Sequence, residues 1–181
     1  EGRHHKIIAD KFNKIADNKI KRLIVCLPPR HSKSEFASTF FPAWMMGKRG
    51  NLKIIQTTHT AELAVRFGRK VRNLIDSEEF QHIFPQLKLQ ADNKSAGRWT
   101  SNQEGEFFAA GVGGAITGRG ADLLIIDDPH SEQDAMSPTA MESAYEWYTS
   151  GPRQRLQPGG IIIIVVYMKL FGFRKNIPTE L

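Results

Sequence analysis

The sequence is poor in cysteine: Cys26 is the single one among 181 residues. An internal disulfide is therefore excluded, and one thiol fits a reducing compartment. Long apolar runs are also missing. The longest, Ile161 to Met168, has eight residues, whereas a helix needs about twenty to cross a bilayer, so no membrane partner is expected. No internal repeat or low-complexity tract is visible, which argues against solenoids and fibres. The opening residues Glu1-Gly2-Arg3-His4-His5 lack both an initiator Met and a leader pattern, and the chain is read as a piece of something longer. What is present is a globular balance, 24% charged and 40% hydrophobic residues, at a length suited to one domain. Lys and Arg total 25 against 19 Asp and Glu, a net charge of +6. That surplus is compatible with a polyanionic partner such as nucleic acid.

Strand and helix patterns alternate along the chain, the mark of an α/β domain. Ile7, Ile8, Phe12, Ile15 and Ala16 form a helical stripe, and Leu23 to Leu27 is a short continuous apolar run, as expected of a strand covered on both faces. A helix is expected from Ser34 to Phe41, with Pro42 kinking or restarting it. Lys53 to Thr58 reads as a second strand, and Thr60 is placed to cap a helix carrying Ala64, Phe67, Val71, Leu74 and Ile75 on one face. Arg98–Thr100 and Glu106–Ala109 read as a small hairpin insertion with Trp99, Phe107 and Phe108 in its core. Asp122 to Ile126 is a further buried strand. Met141 to Tyr148 is a helix starting near Ser137-Pro138, and Pro158-Gly159-Gly160 turns the chain into a last strand at Ile161 to Val166. The fold expected is a mostly parallel central sheet flanked by helices over residues 1–168, followed by a divergent or ragged tail at 169–181.

Two segments carry chemistry. Pro28-Pro29-Arg30-His31-Ser32-Lys33-Ser34 lies between a buried strand and a helix, the setting of a phosphate-binding loop, in which backbone N–H groups and the helix N-terminus hold phosphate oxygens. There Lys33 would reach the β- and γ-phosphates of ATP, the Ser34 hydroxyl would hold Mg²⁺, and Arg30 would add a second cation. Both glycines of G-x-x-x-x-G-K-[ST] are missing, because Leu27 and Ser32 stand in their places. If position 32 needs a positive φ, Ser32 costs about 1 kcal/mol or more. The segment equally fits a basic turn with a helix N-cap at Ser32 or Ser34. The second segment, Leu123 to Ile126 followed by Asp127 and Asp128, delivers acids at the C-terminal end of an apolar strand, where ligands of open α/β sheets gather. Asp127 would hold the Mg²⁺ shell, and Asp128 would orient or deprotonate the attacking water. Asp-Asp-Pro is also ordinary turn chemistry. The two segments together favour the catalytic reading over either alone.

Pro28-Pro29-Arg30-His31-Ser32-Lys33-Ser34-Glu35 resembles the P-P-R-H-G-K-S-E phosphate loop of tailed-bacteriophage terminase large subunits. Thr57-Thr58-His59-Thr60-Ala61-Glu62-Leu63-Ala64, then Gly113 to Asp122 (GGAITGRGAD), then Asp127-Asp128-Pro129-His130 resemble that family in the same order. The likeness runs from about His5 to Val166. It implies a phosphate-loop ATPase of the ASCE type that hydrolyses ATP with Mg²⁺ to drive packaging of viral DNA into the prohead, without the family's C-terminal nuclease domain. Pro29 to Glu35 would then contact nucleotide. The resemblance further implies double-stranded viral DNA, a portal protein and a small terminase subunit as partners, a homo-oligomeric ring, and work in the infected host's cytoplasm at the prohead portal. It makes Arg119 a candidate finger reaching a neighbouring subunit's ATP. The family's coupling motif after the last strand is not matched by Val166-Tyr167-Met168-Lys169-Leu170. A helicase-like translocase, or a fragment binding nucleotide or DNA without turnover, remains an alternative.

Other residues fit plainer roles. His4-His5 reads as a surface pair, His31 as a loop histidine with or without phosphate contact, and Asp127 with His130 as too turn-like for a transition-metal site. The cluster Arg66, Arg69, Lys70 and Arg72 fits a solvated helix face as well as a DNA contact.

Overall fold

The computed structural model describes residues 2–116 and 118–167, with the side chains of 92–94 left aside. Along the chain run α1 (Arg3–Ala16), β1 (Arg22–Leu27), α2 (Lys33–Glu35), a wide π-type turn (Phe36–Phe40), α3 (Phe41–Lys48), β2 (Lys53–Thr58), α4 (Ala61–Ile75) and α5 (Glu78–Ile83). Then come β3 (Leu89–Lys94), β4 (Arg98–Ser101), β5 (Glu106–Gly111), β6 (Ala121–Asp127), α6 (Pro138–Ser150) and β7 (Leu156–Tyr167).

The seven strands make one sheet in the order β1-β7-β6-β2-β5-β4-β3. Pairings from β1 through β5 are parallel, and only the two at the β3 end are antiparallel. The expected α/β architecture with a mostly parallel sheet and flanking helices is therefore present. The hairpin differs from expectation in one respect. Arg98 does pair with Phe108 antiparallel, but β5 also pairs in parallel with β2. The segment is thus the margin of the central sheet, not an insertion beside it, because β5 has partners on both edges and satisfies its backbone in both directions.

Side chains of the central strands alternate between two apolar layers. On one face, α1 (Ile8, Phe12, Ile15), α3 (Phe41, Met45, Met46) and α4 (Val71, Ile75) pack with Val25, Ile54, Leu123, Ile125, Ile163 and Val165. On the other, Tyr148 and Trp147 of α6 join Ile55, Leu124, Ile126 and Ile162. Burial on both faces is why β6 and β7 read as continuous apolar runs. β7 begins earlier than expected. Pro158 and the two glycines lie inside it as a bulge: Ala121 pairs with Leu156 while Leu123 pairs with Ile161, and Gly159 takes φ +83.

The helical run after β1 starts at Lys33 and is continuous to Lys48 through the wide turn. Phe41 N–H bonds to Phe36 C=O, five residues back. Such widening accommodates Pro42, whose ring would clash with the carbonyl four residues earlier in a regular α-helix. Thr60 caps α4 through Leu63 N–H at 3.2 Å, and Ser137 caps α6 through Ala140 N–H at 3.3 Å. Both caps match the sequence reading.

Trp99 and Phe107 are fully buried and stacked at 4.9 Å, and the indole N–H donates to Gly68 C=O at 3.1 Å. This contact requires α4 to lie close to the sheet. A Cβ at Gly68 would sit 2.6 Å from the Ala96 carbonyl oxygen. Gly68→Ala is therefore expected to lower unfolding free energy by about 1–3 kcal/mol. Urea denaturation followed by Trp fluorescence measures it, and an unchanged midpoint would show that the helix–sheet spacing is not fixed there.

Candidate functional site

Because β1, β7, β6, β2 and β5 run parallel, Leu27, Tyr167, Asp127, Thr58 and Gly111 end along one edge of the sheet. The loop after β1 and the turn after β6 both open there, with β7 between them. Lys33 bridges that gap. Its Nζ lies 3.1 Å from Asp128 Oδ2 and 5.9 Å from the centroid of the Tyr167 ring at the end of β7. Beneath this ion pair, Ser34 Oγ donates to Asp127 Oδ1 at 3.0 Å and Ser38 Oγ donates to Asp127 Oδ2 at 2.7 Å. Lys33, Ser34, Asp127 and Asp128, selected from two distant segments of sequence, thus share one site.

Asp127 is only 2% exposed. Burial pushes its carboxyl up to about 6; neighbouring Asp128 adds to the rise, while the two serine hydroxyls and Lys33 oppose it. Lys33 is buried as well, at 8% exposure. Asp128 is fixed by its backbone: its N–H donates to Val165 C=O at 2.8 Å, and its C=O accepts from His59 N–H at 3.3 Å. Strands on either side of β6 therefore clamp it, with φ at +43. Arg30 and Ser32 also have positive φ, +61 and +59. The missing glycine at position 32 thus matters as the sequence suggested, since a left-handed residue other than glycine costs about 1–2 kcal/mol. Alternating left-handed residues turn successive amides toward one side, a backbone shape suited to anions.

The remaining expected residues are arranged around this centre. Pro29, Arg30, His31 and Ser32 are exposed on the loop, and Pro29 C=O lies 2.8 Å from His31 Nδ1. Glu35 faces α4 and pairs with Lys70 at 2.7 Å. Arg119 is not brought to the cluster within the chain. It lies before β6, at the opposite edge of the sheet, ion-paired with Glu106 and 4.3 Å above the Phe108 ring. His4 and His5 lie beside the loop: the His4 ring is 4.0 Å from His5 and 5.6 Å from His31, and His5 stacks on Phe36 at 4.9 Å. Met168, Lys169, Leu170 and the tail at 169–181 fall outside the described residues.

Three residues at the site escaped the sequence reading. Ser38 lies four positions after Ser34 on the same helical run, and that spacing was the available signal. His59 and His130 occur in the quoted motifs without an assigned role. Each carries a buried ring nitrogen with no hydrogen-bond partner, Nδ1 in His59 and Nε2 in His130, and Asp128 Oδ1 is likewise buried and unpartnered.

The donor set bears on a metal. Among the described residues no group of three or more His, Cys, Asp or Glu is placed to hold an ion. Mg²⁺ asks for less: one or two carboxylates, with phosphates and water filling its shell. The Ser34 hydroxyl and Asp127 carboxylate, both hard oxygen donors in contact, fit that requirement.

Burial of Asp127 has a thermodynamic consequence. Its carboxyl is weaker in the folded than in the unfolded chain, so folding retains a proton that unfolding releases. Its contribution to stability is fully present below about pH 4 and is lost as pH rises through about 6. The rise from 3.8 to about 6 corresponds to about 3 kcal/mol. Asp127→Asn, which keeps a polar group between the two serines, is expected to unfold at higher urea than wild type at pH 8 and to close that gap by pH 4. A gap independent of pH would show that Asp127 is ionised at no cost.

Ser32→Gly tests the loop. It relieves about 1–2 kcal/mol of left-handed strain and adds about 0.5–1 kcal/mol of unfolded-chain entropy. A net gain of up to about 1.5 kcal/mol is expected in urea denaturation, and a loss would show that the Ser32 side chain stabilises the loop.

No family model matches the chain, and no curated protein matches it.

Proposed function

We propose that the chain is a Mg²⁺-dependent ATP hydrolase of the phosphate-loop class, ASCE type, serving as the motor domain of a terminase-like enzyme that packages viral DNA. The observation carrying this reading is the double contact of the loop after β1 with the end of β6, Lys33 to Asp128 at 3.1 Å and Ser34 to Asp127 at 3.0 Å. A cation, a hydroxyl and two carboxylates at the C-terminal edge of a parallel sheet are the parts phosphoryl transfer requires. The motif resemblance supplies the packaging role.

In this reading the amides at the start of α2 and the cation of Lys33 bind the β- and γ-phosphates, with Arg30 adding charge from the loop. Ser34 and Asp127 are the residues that would hold Mg²⁺, whose chemistry there is neutralisation of phosphate charge. A phosphate entering beside Lys33 competes with Asp128 for the ammonium group. The released Asp128 carboxylate then accepts a hydrogen bond from water. The water oxygen bonds to the γ-phosphorus as the bond from that phosphorus to the ADP oxygen breaks. The electron pair stays on ADP, and the water proton passes to Asp128 and on to solvent or phosphate. Arg119 serves as a finger in a neighbouring subunit once it leaves Glu106, so the ring outperforms the dilute monomer. Double-stranded DNA, portal protein and small terminase subunit are the proposed partners, in the host cytoplasm at the prohead portal. Among the described residues no helix is long and apolar enough to cross a membrane.

Phosphate release with Mg²⁺ and ATP tests the reading. Lys33→Ala is expected to weaken nucleotide binding and cut turnover by about 10²–10³-fold. Asp128→Asn should keep binding while lowering turnover by about 10²–10⁴-fold. Equal rates in wild type and both variants would remove the assignment. Nucleotide binding at background turnover would select the binding-only alternative, which left-handed Ser32 in place of glycine favours. Stimulation by DNA or RNA without any portal would favour a helicase-like translocase.

A further inference from the structure

Beside Asp128 lie polar groups that the hydrolysis scheme leaves unused. Three polar atoms there are buried and unpartnered: Asp128 Oδ1, His59 Nδ1 and His130 Nε2. Buried polar atoms normally find a partner, and an exception at a catalytic edge calls for an explanation. The backbone holds all three residues together. His59 follows the last residue of β2, and its N–H donates to Asp128 C=O at 3.3 Å. His130 stands two residues beyond Asp128, on a turn fixed by Asp134, whose Oδ2 accepts from Ser131 N–H at 3.2 Å and Ser131 Oγ at 2.7 Å. The hydrogen bonds from Ser131 hold the Asp134 carboxyl below its ordinary range, with smaller contributions from nearby His130 and His59. His130 is half-buried, and burial draws its imidazole below the ordinary range, leaving it neutral near pH 7. A neutral imidazole has one donor and one acceptor nitrogen, so it can hold a water or a phosphate oxygen without adding fixed charge.

We infer that His59 and His130 are further contact residues of the site: with Asp128 Oδ1, their unpartnered nitrogens grip the terminal phosphate of a nucleoside triphosphate and the water that attacks it. This inference rests on the hydrolase reading above. Asp128 alone offers one free oxygen, which leaves a water able to rotate. Two more polar atoms, brought from the residue after β2 and from the turn after β6, fix the water and the phosphate oxygen together. The site thereby distinguishes triphosphate from diphosphate, because only the triphosphate presents the group these atoms hold.

The ring atoms provide the test. An Asn amide occupies roughly the place of Nδ1, and a Gln amide roughly that of Nε2. His59→Asn and His130→Gln should therefore keep turnover within about five-fold of wild type. His59→Gln, His130→Asn and both alanine variants should lose about 10²-fold or more in kcat, with dissociation constants for a fluorescent ADP within about three-fold. A merely structural role would not produce this reversed Asn/Gln preference. A second readout is independent of turnover. In ¹⁵N spectra of the full chain, the imidazole signals lost in the two alanine variants should shift with a non-hydrolysable ATP analogue and Mg²⁺ but not with ADP and Mg²⁺. Full turnover in His59→Ala and His130→Ala, while Lys33→Ala is dead, overturns the inference and leaves the hydrolase reading standing. If wild type binds nucleotide without turnover, an analogue-specific shift supports the inference and its absence overturns it. If wild type neither binds nor hydrolyses nucleotide, both fall together.

Discussion

The buried carboxylate of Asp127 is the constraint around which the site is organised. A carboxylate taken out of water at the end of a strand loses hydration that must be replaced by hydrogen bonds or protonation. Ser34 and Ser38 supply the hydrogen bonds, one to each oxygen. Both belong to the helical run after β1, so the partners of the buried acid also lock that run against β6. The loop preceding it, residues 28–32, is thereby held above the same sheet edge, and Lys33 is carried to Asp128. A single desolvated group thus couples two elements far apart in sequence.

The same arrangement explains the strain collected there. Arg30, Ser32 and Asp128 all occupy left-handed backbone. Two of them are held by their surroundings: Asp128 by hydrogen bonds with Val165 of β7 and with His59 just after β2, Ser32 by the helix start whose Phe36 N–H bonds to its carbonyl at 3.0 Å. Asn18 and Glu104 are also left-handed, in turns before β1 and β5, but the three at the site stand beside buried groups of both charge signs, a combination characteristic of a site built for something other than stability. At the opposite edge the charged groups are paired. There Arg119 finds Glu106 and the Phe108 ring, and Lys53 N–H donates to Asp122 Oδ2 at 2.8 Å.

Much of the fold was legible because its central strands are covered on both faces. Burial writes continuous apolar runs into β6 and β7, and the caps Thr60 and Ser137 mark helix starts chemically. The apolar run of β1 misleads in one respect: the strand lies at the margin of the sheet, with Ile24 and Cys26 exposed and only Val25 fully buried. The wide turn at Phe36–Phe40 was not legible. Pro42 signals a disturbance, but a kink, a restart and a widened turn all relieve the same clash. Likewise, pattern locates Pro158-Gly159-Gly160 as a break, while only the pairing of β7 with β6 shows that the strand runs through it. The membership of β5 in the central sheet was hidden for a related reason, since local sequence reports the hairpin partner and not the parallel neighbour reached across a long connection.

Within the site, the four central residues were readable because the motifs of a phosphate loop and an acid-tipped strand restrict residue type and spacing at once. Ser38, His59 and His130 were not, because their contribution depends on which strands are neighbours. In the proposed site His59 matters only because β2 lies beside β6, and His130 only because the Ser131–Asp134 hydrogen bonds fix the turn that follows Asp128. An imidazole in either segment could as readily face solvent. What marks them is a buried nitrogen with no partner in a residue adjoining Asp128, whose Oδ1 is itself buried and unpartnered, and such a juxtaposition exists only in three dimensions. The division is therefore chemical: in the proposed site, charged groups that would approach a phosphate are specified locally, and neutral groups that would refine its position are specified by the topology that surrounds it.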